Sequence, residues 1–259
     1  MDSRNLTLDN QTFNSRLILG TGGLPSLEIL SDIIKVSQAE IATVALRRIN
    51  PNQKLSIFNI LTEHSIKILP NTAGCYTAAE AVKLAELAKE SLETDWIKLE
   101  VIGDEKTLLP DPIELIKASE ILINKDFKVF AYTNNDLIIA RRLVSLGVTA
   151  VMPLASPIGS GMGLENLNGL IRIIEEIQNV PVIVDAGIGT ASDAALAMEI
   201  GADAVLAASA ITRAVDSVKM AHAIASGIEA GHLARQAGRI PKQLYAVPSS
   251  DPSNMPSLK

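Results

Sequence analysis

Short apolar runs alternate with longer segments of helical period along almost the whole chain. The eight runs occupy residues 16–20, 41–46, 66–70, 96–102, 128–132, 150–154, 181–187 and 204–209. Most of these runs lack regular polar alternation, as is typical of parallel strands that are buried on both faces. Segments such as 77–92, 111–124 and 136–147 place apolar residues three and four positions apart, which is the spacing of amphipathic helices. Eight strand–helix units predict an α/β fold with a single (β/α)8 barrel of the TIM type.

An open, doubly wound parallel sheet is the alternative that this pattern leaves. The even count of strands, their regular spacing and the lack of a linker favour one closed barrel. Residues 6–13, LTLDNQTF, predict a short hairpin that plugs the lower end of the barrel. We therefore assign residues 1–246 to one barrel domain and the Pro- and Ser-rich residues 247–259 to a mobile tail.

Composition excludes several classes of protein. The formal net charge of −6 argues against a general binder of nucleic acid or anionic membranes. Cys75 is the single cysteine, which rules out an internal disulfide framework and fits a reducing cytosol. We find neither a secretory leader nor an apolar run near the roughly 20 residues of a membrane span, so we expect a soluble, cytoplasmic protein. The three histidines lack metal-ligand spacing, and we expect no metal and no cofactor.

Two charged residues interrupt the fourth predicted strand. Lys98 and Glu100 are two residues apart, so both side chains point to the same face, into the barrel. The pair could be a buried ion pair without further use. It could also be a nucleophile with its proton shuttle, because burial disfavours an ammonium and lowers the pKa of a lysine. A free amine attacks a carbonyl group to form a Schiff base, and a neighbouring carboxylate carries the protons.

Other candidate residues follow the later predicted strands, at the end of a barrel where active sites lie. Asp185 ends the seventh strand and either faces Lys98 across the mouth or caps the next helix. The loop 153–164 is rich in glycine, and with residues 207–210 it matches the place where barrels bind phosphate through backbone amides. Residues 20–23, GTGG, hint at a dinucleotide loop, but no acidic residue ends the second strand.

The chain contains several long and distinctive motifs: RLILGTG, TVALRR, LPNTAGCYTAAEAV, KLEVIGDEKTLLPDP, MPLASPIGSG, PVIVDAGIGTASDAA and AGRIPK. These motifs closely resemble those of thiazole synthase, an enzyme family of thiamin biosynthesis. The resemblance runs over nearly the whole chain. It implies a (β/α)8 barrel that condenses 1-deoxy-D-xylulose 5-phosphate, dehydroglycine and sulfur into the thiazole phosphate. It also implies a small sulfur-carrier protein with a C-terminal thiocarboxylate as partner, and a homo-oligomer, commonly a tetramer.

The resemblance also implies roles for particular residues. Lys98 corresponds to the lysine that forms an imine with the substrate ketone, and Glu100 and Asp185 correspond to the acid/base groups. The substrate-binding positions implied for this chain are Gly159, Ala186, Gly187, Ala208 and Ser209.

One departure from the family pattern falls after the eighth predicted strand. The family usually has Asn-Thr where this chain has Ala208-Ser209. We expect weaker binding rather than loss of function, because one net hydrogen bond contributes about 0.5–1.5 kcal/mol. Three other functions stay open: a Schiff-base aldolase acting on another sugar phosphate, a non-catalytic protein that binds a phosphosugar or the carrier, and, more distantly, a nicotinamide oxidoreductase.

Overall fold

The computed structural model describes residues 5–46 and 57–249. The first element of the fold is an antiparallel hairpin of β1 (Leu6–Leu8) and β2 (Gln11–Phe13). Eight further strands follow: β3 (Leu17–Gly20), β4 (Ile41–Ala45), β5 (Lys67–Asn71), β6 (Trp96–Leu99), β7 (Lys128–Thr133), β8 (Ala150–Pro153), β9 (Ile183–Val184) and β10 (Ala204–Ala207). The helices are α1 (Glu28–Ser37), α2 (Ile57–Glu63), α3 (Ala78–Leu92), α4 (Pro112–Ile123), α5 (Leu137–Leu146), α6 (Leu167–Glu176), α7 (Ala191–Glu199), α8 (Ser209–Thr212) and α9 (Ser217–Ala237).

The strands β3 to β10 form a closed parallel barrel. Their hydrogen-bonded order is β8-β7-β6-β5-β4-β3-β10-β9. Parallel bridges from Val151 to Val182 and from Leu154 to Asp185 join the two ends of this order. The predicted (β/α)8 barrel is therefore confirmed, and the open sheet is excluded.

The interior of the barrel is apolar in its lower part. Inward-facing side chains from the strands form one cluster there, and Leu6, Leu8 and Phe13 of the hairpin belong to the same cluster. Trp96 lies in this layer, with its ring against Phe130, and its indole N–H donates to Asp9 in the hairpin turn at 3.0 Å. The predicted plug at the lower end is confirmed. Because this layer is filled with hydrocarbon, polar chemistry is confined to the upper part of the barrel.

Three predicted strands extend two or three residues beyond the observed ones. The predicted runs 96–102, 181–187 and 204–209 end as strands at Leu99, Val184 and Ala207. Apart from the bridge at Asp185, the residues beyond these ends are not paired in the barrel sheet and lie at its carboxyl end. They include most of the predicted site residues, so the apolar pattern overestimated strand length where the chain builds the site.

The predicted helices begin where short polar side chains cap them. Asp111 accepts from the N–H groups of Ile113 and Glu114 at the start of α4, and Asp136 caps α5 in the same way. None of the helices in the described ranges is long and apolar enough to cross a membrane. Of the predicted mobile tail, residues 247–249 are exposed and 250–259 lie outside the described residues.

Candidate functional site

A cavity of about 470 Å³ lies at the carboxyl ends of the barrel strands. All eight residues predicted from the sequence line it: Lys98, Glu100, Gly159, Asp185, Ala186, Gly187, Ala208 and Ser209. Two larger clefts, of about 530 and 730 Å³, lie around Arg16 at the opposite end of the barrel. The cavity at the mouth is the candidate site, because it alone of the three contains the buried lysine and its carboxylates.

Lys98 lies between two carboxylates at the floor of this cavity. Its Nζ is 2.6 Å from Oε1 of Glu100 and 2.7 Å from Oδ2 of Asp185. The three residues expose between 2% and 5% of their surface. Glu100 follows β6 on the same face as Lys98, whereas Asp185 follows β9 and arrives from across the barrel. Of the two alternatives for Asp185, the structure supports contact with Lys98, because α7 has Thr190 as its N-cap residue instead.

The expected lowering of the Lys98 pKa is wrong for this resting structure. Burial is the largest single effect and acts to lower the pKa. The charges of Asp185 and Glu100, with the hydrogen bonds that they accept, together outweigh burial and raise the pKa of Lys98 above its ordinary value. Glu100 is the carboxylate that lies next to Lys98 in sequence, and the fold brings Asp185 to the same amine. The resting side chain is therefore an ammonium ion.

The pKa of Asp185 is also displaced from its ordinary value, which makes this carboxylate a candidate proton acceptor. Burial raises the pKa of Asp185, and the attraction of Lys98 opposes this only in part. Tyr132 on β7 lies beside the same group, with its ring centre 5.1 Å from Nζ of Lys98. Burial and the two carboxylates raise the pKa of the Tyr132 phenol, so it stays protonated. The site thus holds an ammonium ion beside a carboxylate whose pKa is raised.

Thr72, just after β5, holds the backbone of Glu100 in place. Its Oγ1 donates to the carbonyl oxygen of Glu100 at 2.8 Å and accepts from the N–H of Glu100 at 2.8 Å. Thr72 is fully buried. The two bonds continue the β5–β6 pairing beyond the last ladder pair, and so fix the position from which the Glu100 side chain reaches Lys98.

The loops over the cavity depend on left-handed backbone at three of the predicted binding positions. Gly159, Ala186 and Gly187 have φ values of 75°, 62° and 72°. Two features exclude a side chain at Gly187: its φ is positive, and a Cβ there would lie 2.0 Å from Oγ of Ser156. Left-handed φ is unfavourable for Ala186, which lies directly after the buried Asp185. All three positions line the cavity.

The sequence reading missed three residues of the site. Asn71 ends β5 and lines the cavity, and its position after an apolar run could have identified it. Tyr132 lies on the inward face of β7, and the alternation of side chains along a strand could have predicted this from the sequence. Arg213 lines the cavity from beyond α8, and no sequence signal marked it. Within the described ranges, no group of three His, Cys, Asp or Glu residues could hold a metal ion.

Comparison with known proteins identifies the family. The model of the family described as "Thiazole biosynthesis protein ThiG" matches residues 7–251 of this chain. The chain belongs to the ThiG family. This places it among the enzymes of thiazole and thiamin biosynthesis. The resemblance inferred from the motifs is confirmed at the level of the family.

Solved structures of other proteins share the barrel fold of this chain. The chain is 28% identical to one from the Amycolatopsis orientalis BexX/CysO complex, with a TM-score of 0.83 over 93% of this chain and 98% of that one. A thiamine phosphate pyrophosphorylase from Pyrococcus furiosus matches with a TM-score of 0.57 at 16% identity, over 83% and 96% of the two chains. A mandelate oxidase variant with benzaldehyde matches with a TM-score of 0.61 at 12% identity, over 90% and 76%. The last two show the barrel fold alone.

The ThiG-family chain accommodates its Ala208-Ser209 sequence by close packing. A Cβ placed on Gly20 at the end of β3 would lie 2.2 Å from the Cβ of Ala208. The backbone at position 208 is therefore pressed against β3, and the Ser209 hydroxyl remains at the cavity wall.

Proposed function

We propose that this protein is a thiazole synthase that joins 1-deoxy-D-xylulose 5-phosphate, dehydroglycine and carrier-bound sulfur through a Schiff base on Lys98. The observation that carries the proposal is the burial of Lys98 between Glu100 and Asp185 at the mouth of the barrel. A buried ammonium ion with two carboxylates is costly to maintain as structure alone. As a reacting group, it has a proton acceptor on each side.

The proposed reaction begins with a proton transfer. The Lys98 ammonium gives one proton to a neighbouring carboxylate, and Asp185 is the preferred acceptor because burial raises its pKa. The free amine adds to the ketone carbon of the substrate and forms a carbinolamine. Loss of the hydroxyl as water, with the proton returned by the carboxyl group, leaves the imine. Glu100, on the other side of Nζ, then moves protons between the carbons of the imine.

Substrate binding is assigned to the loops around the cavity. We place the phosphate and sugar contacts at Gly159, Ala186, Gly187, Ala208 and Ser209. The backbone N–H groups of Gly159 and Gly187 form no hydrogen bond with any described residue. Amides of this kind bind phosphate oxygens without a charged side chain.

The sulfur donor that we propose is a small carrier protein with a C-terminal thiocarboxylate, docked over the barrel mouth. The structural match to one chain of the BexX/CysO complex supports a protein partner. We further propose a homo-oligomer, a tetramer in the first instance, and a cytoplasmic location. A mass measurement in solution tests the oligomer, and fractionation of cells tests the location.

Borohydride trapping tests the imine directly. The enzyme is incubated with 1-deoxy-D-xylulose 5-phosphate, reduced with borohydride and mapped by peptide mass. We expect a stable adduct on Lys98 alone, and none in Lys98→Ala, which also loses turnover while it remains folded. Lys117→Ala is the matched control, since that lysine also contacts a carboxylate at 2.7 Å but lies on the surface.

Two further variants separate binding from chemistry. Glu100→Ala and Asp185→Ala should bind the sugar phosphate and slow the steps that follow. Wild-type turnover in Lys98→Ala, or an adduct on another lysine, contradicts the proposed mechanism. Turnover without any carrier thiocarboxylate points instead to an aldolase.

A further inference from the structure

The floor of the cavity carries a net negative charge before any substrate enters. Lys98 carries the positive charge at the floor, and it is already in contact with two carboxylates. Glu100 and Asp185 are the acidic residues of the cavity lining. A phosphate dianion would therefore meet a floor whose net charge is negative. Backbone amides can hold its oxygens, but they bring no full positive charge to it.

Arg213 is the remaining cationic residue of the lining. It lies directly after α8, at the rim of the cavity, and its side chain is exposed. In the part of the chain that the structure describes, its guanidinium forms no ion pair and no hydrogen bond. Nearby Asp216 caps α9 and contacts Lys219 instead. Arg213 thus keeps all of its side-chain donors for a ligand.

The guanidinium is close to two of the proposed binding positions. A methyl group placed on the Cα of Gly159 would lie 3.3 Å from Nη1 of Arg213 and 3.7 Å from Oγ of Ser209. A guanidinium, a hydroxyl and the left-handed backbone of a glycine therefore lie close together in the wall of the cavity. A planar guanidinium matches phosphate oxygens with two parallel hydrogen bonds, and each is charge-assisted.

We propose that Arg213 is a substrate-binding residue that holds the phosphate group against the Gly159 loop. This deepens the proposed function and rests on it, because the phosphate is that of the proposed sugar phosphate. The side chain at position 208 is a methyl group and offers no hydrogen bond, so Arg213 provides the binding that the Ala208-Ser209 pair does not. Its place at the rim also suits a ligand that enters from the mouth with its carbonyl group toward Lys98.

The test measures affinity for 1-deoxy-D-xylulose 5-phosphate by calorimetry in four proteins: wild type, Arg213→Gln, Arg213→Lys and Arg142→Gln. Glutamine removes the charge while it keeps length and polarity, and Arg142 is a matched exposed arginine away from the cavity. We expect Arg213→Gln to weaken binding at least about tenfold, the range of a charge-assisted hydrogen bond. Arg213→Lys should lie between, since it keeps the charge without the planar pair of donors, and Arg142→Gln should match wild type.

A second measurement separates phosphate binding from a general effect on the site. The unphosphorylated sugar, 1-deoxy-D-xylulose, has nothing for Arg213 to hold. At one high concentration of this sugar, borohydride trapping on Lys98 should therefore give the same yield in Arg213→Gln as in wild type. Equal loss with both sugars would show a structural role and overturn the inference.

The outcomes distinguish this inference from the function on which it rests. If wild type binds the sugar phosphate and Arg213→Gln binds it within about twofold, the inference is wrong and the proposed function stands. If wild type neither binds the sugar phosphate nor forms an adduct with it, the proposed function fails and the inference fails with it.

Discussion

Replacing Lys98 by methionine removes the positive charge between two buried carboxylates while it keeps much of the side-chain volume. Nζ is 2.6 Å and 2.7 Å from the nearest oxygens of Glu100 and Asp185, and none of the three residues exposes more than 5% of its surface. Little water therefore reaches these carboxylates to replace the lost ammonium. Breaking a buried ion pair from one side costs about 3–5 kcal/mol, a large share of the roughly 5–15 kcal/mol that stabilises a typical domain.

Lys117→Met is the control that isolates burial. The distance from Lys117 Nζ to Glu114 Oε1 is also 2.7 Å, but the lysine side chain is 59% exposed. An exposed pair contributes about 0.2–1 kcal/mol, because water screens it. The two variants therefore share the same contact distance and differ in surroundings. Unfolding in urea can be followed by the fluorescence of Trp96, the single tryptophan, which is buried in the lower interior.

The destabilisation by Lys98→Met should also depend on pH. Without the ammonium, the attraction that lowers the pKa of Asp185 is gone, and burial and the charge of Glu100 raise this pKa further. Asp185 then takes up a proton above its unfolded pKa of about 4, so the folded state binds more protons and loses stability as pH rises, by up to about 1.4 kcal/mol per pH unit. We expect a smaller loss relative to wild type near about pH 5.5 than near about pH 8. A loss at about pH 8 no larger than that of Lys117→Met would refute this reasoning.

Two further variants test how the site is held. Thr72→Val removes both hydrogen bonds to the Glu100 backbone, and each buried group left without a partner costs about 1–3 kcal/mol. In steady-state kinetics we expect a lower kcat, little change in KM and recovery of kcat in Thr72→Ser. An unchanged kcat in Thr72→Val would exclude a positioning role. Gly187→Ala should cost more than about 2 kcal/mol by urea unfolding, because φ is positive and the new Cβ would lie 2.0 Å from Ser156. Gly147→Ala, also at positive φ but with open space around it, should cost about 1 kcal/mol, and equal losses would show that the contact is unimportant.

Much of the fold follows from local pattern. The short apolar runs and the helical spacing correspond to the strands and helices that are found, since each pattern reflects the geometry of a single element. The ends of the strands were predicted less well, because residues such as Ala186 and Ala208 belong to the predicted runs and yet lie beyond the observed strands. Sequence alone does not record where hydrogen bonding to a neighbouring strand stops.

By itself, the sequence determined that Lys98 and Glu100 share the inner face of one strand, because side-chain direction alternates along any strand. It also determined the plug, since the alternation in LTLDNQTF gives the hairpin an apolar face. Only the tertiary structure decided that Asp185 completes the group at 2.7 Å, and hence that the resting lysine is charged. Only the tertiary structure brought Arg213 to Gly159. The reason is physical: side-chain direction is a property of the local backbone, whereas a pKa and a binding site depend on charges that barrel closure brings together from distant parts of the chain.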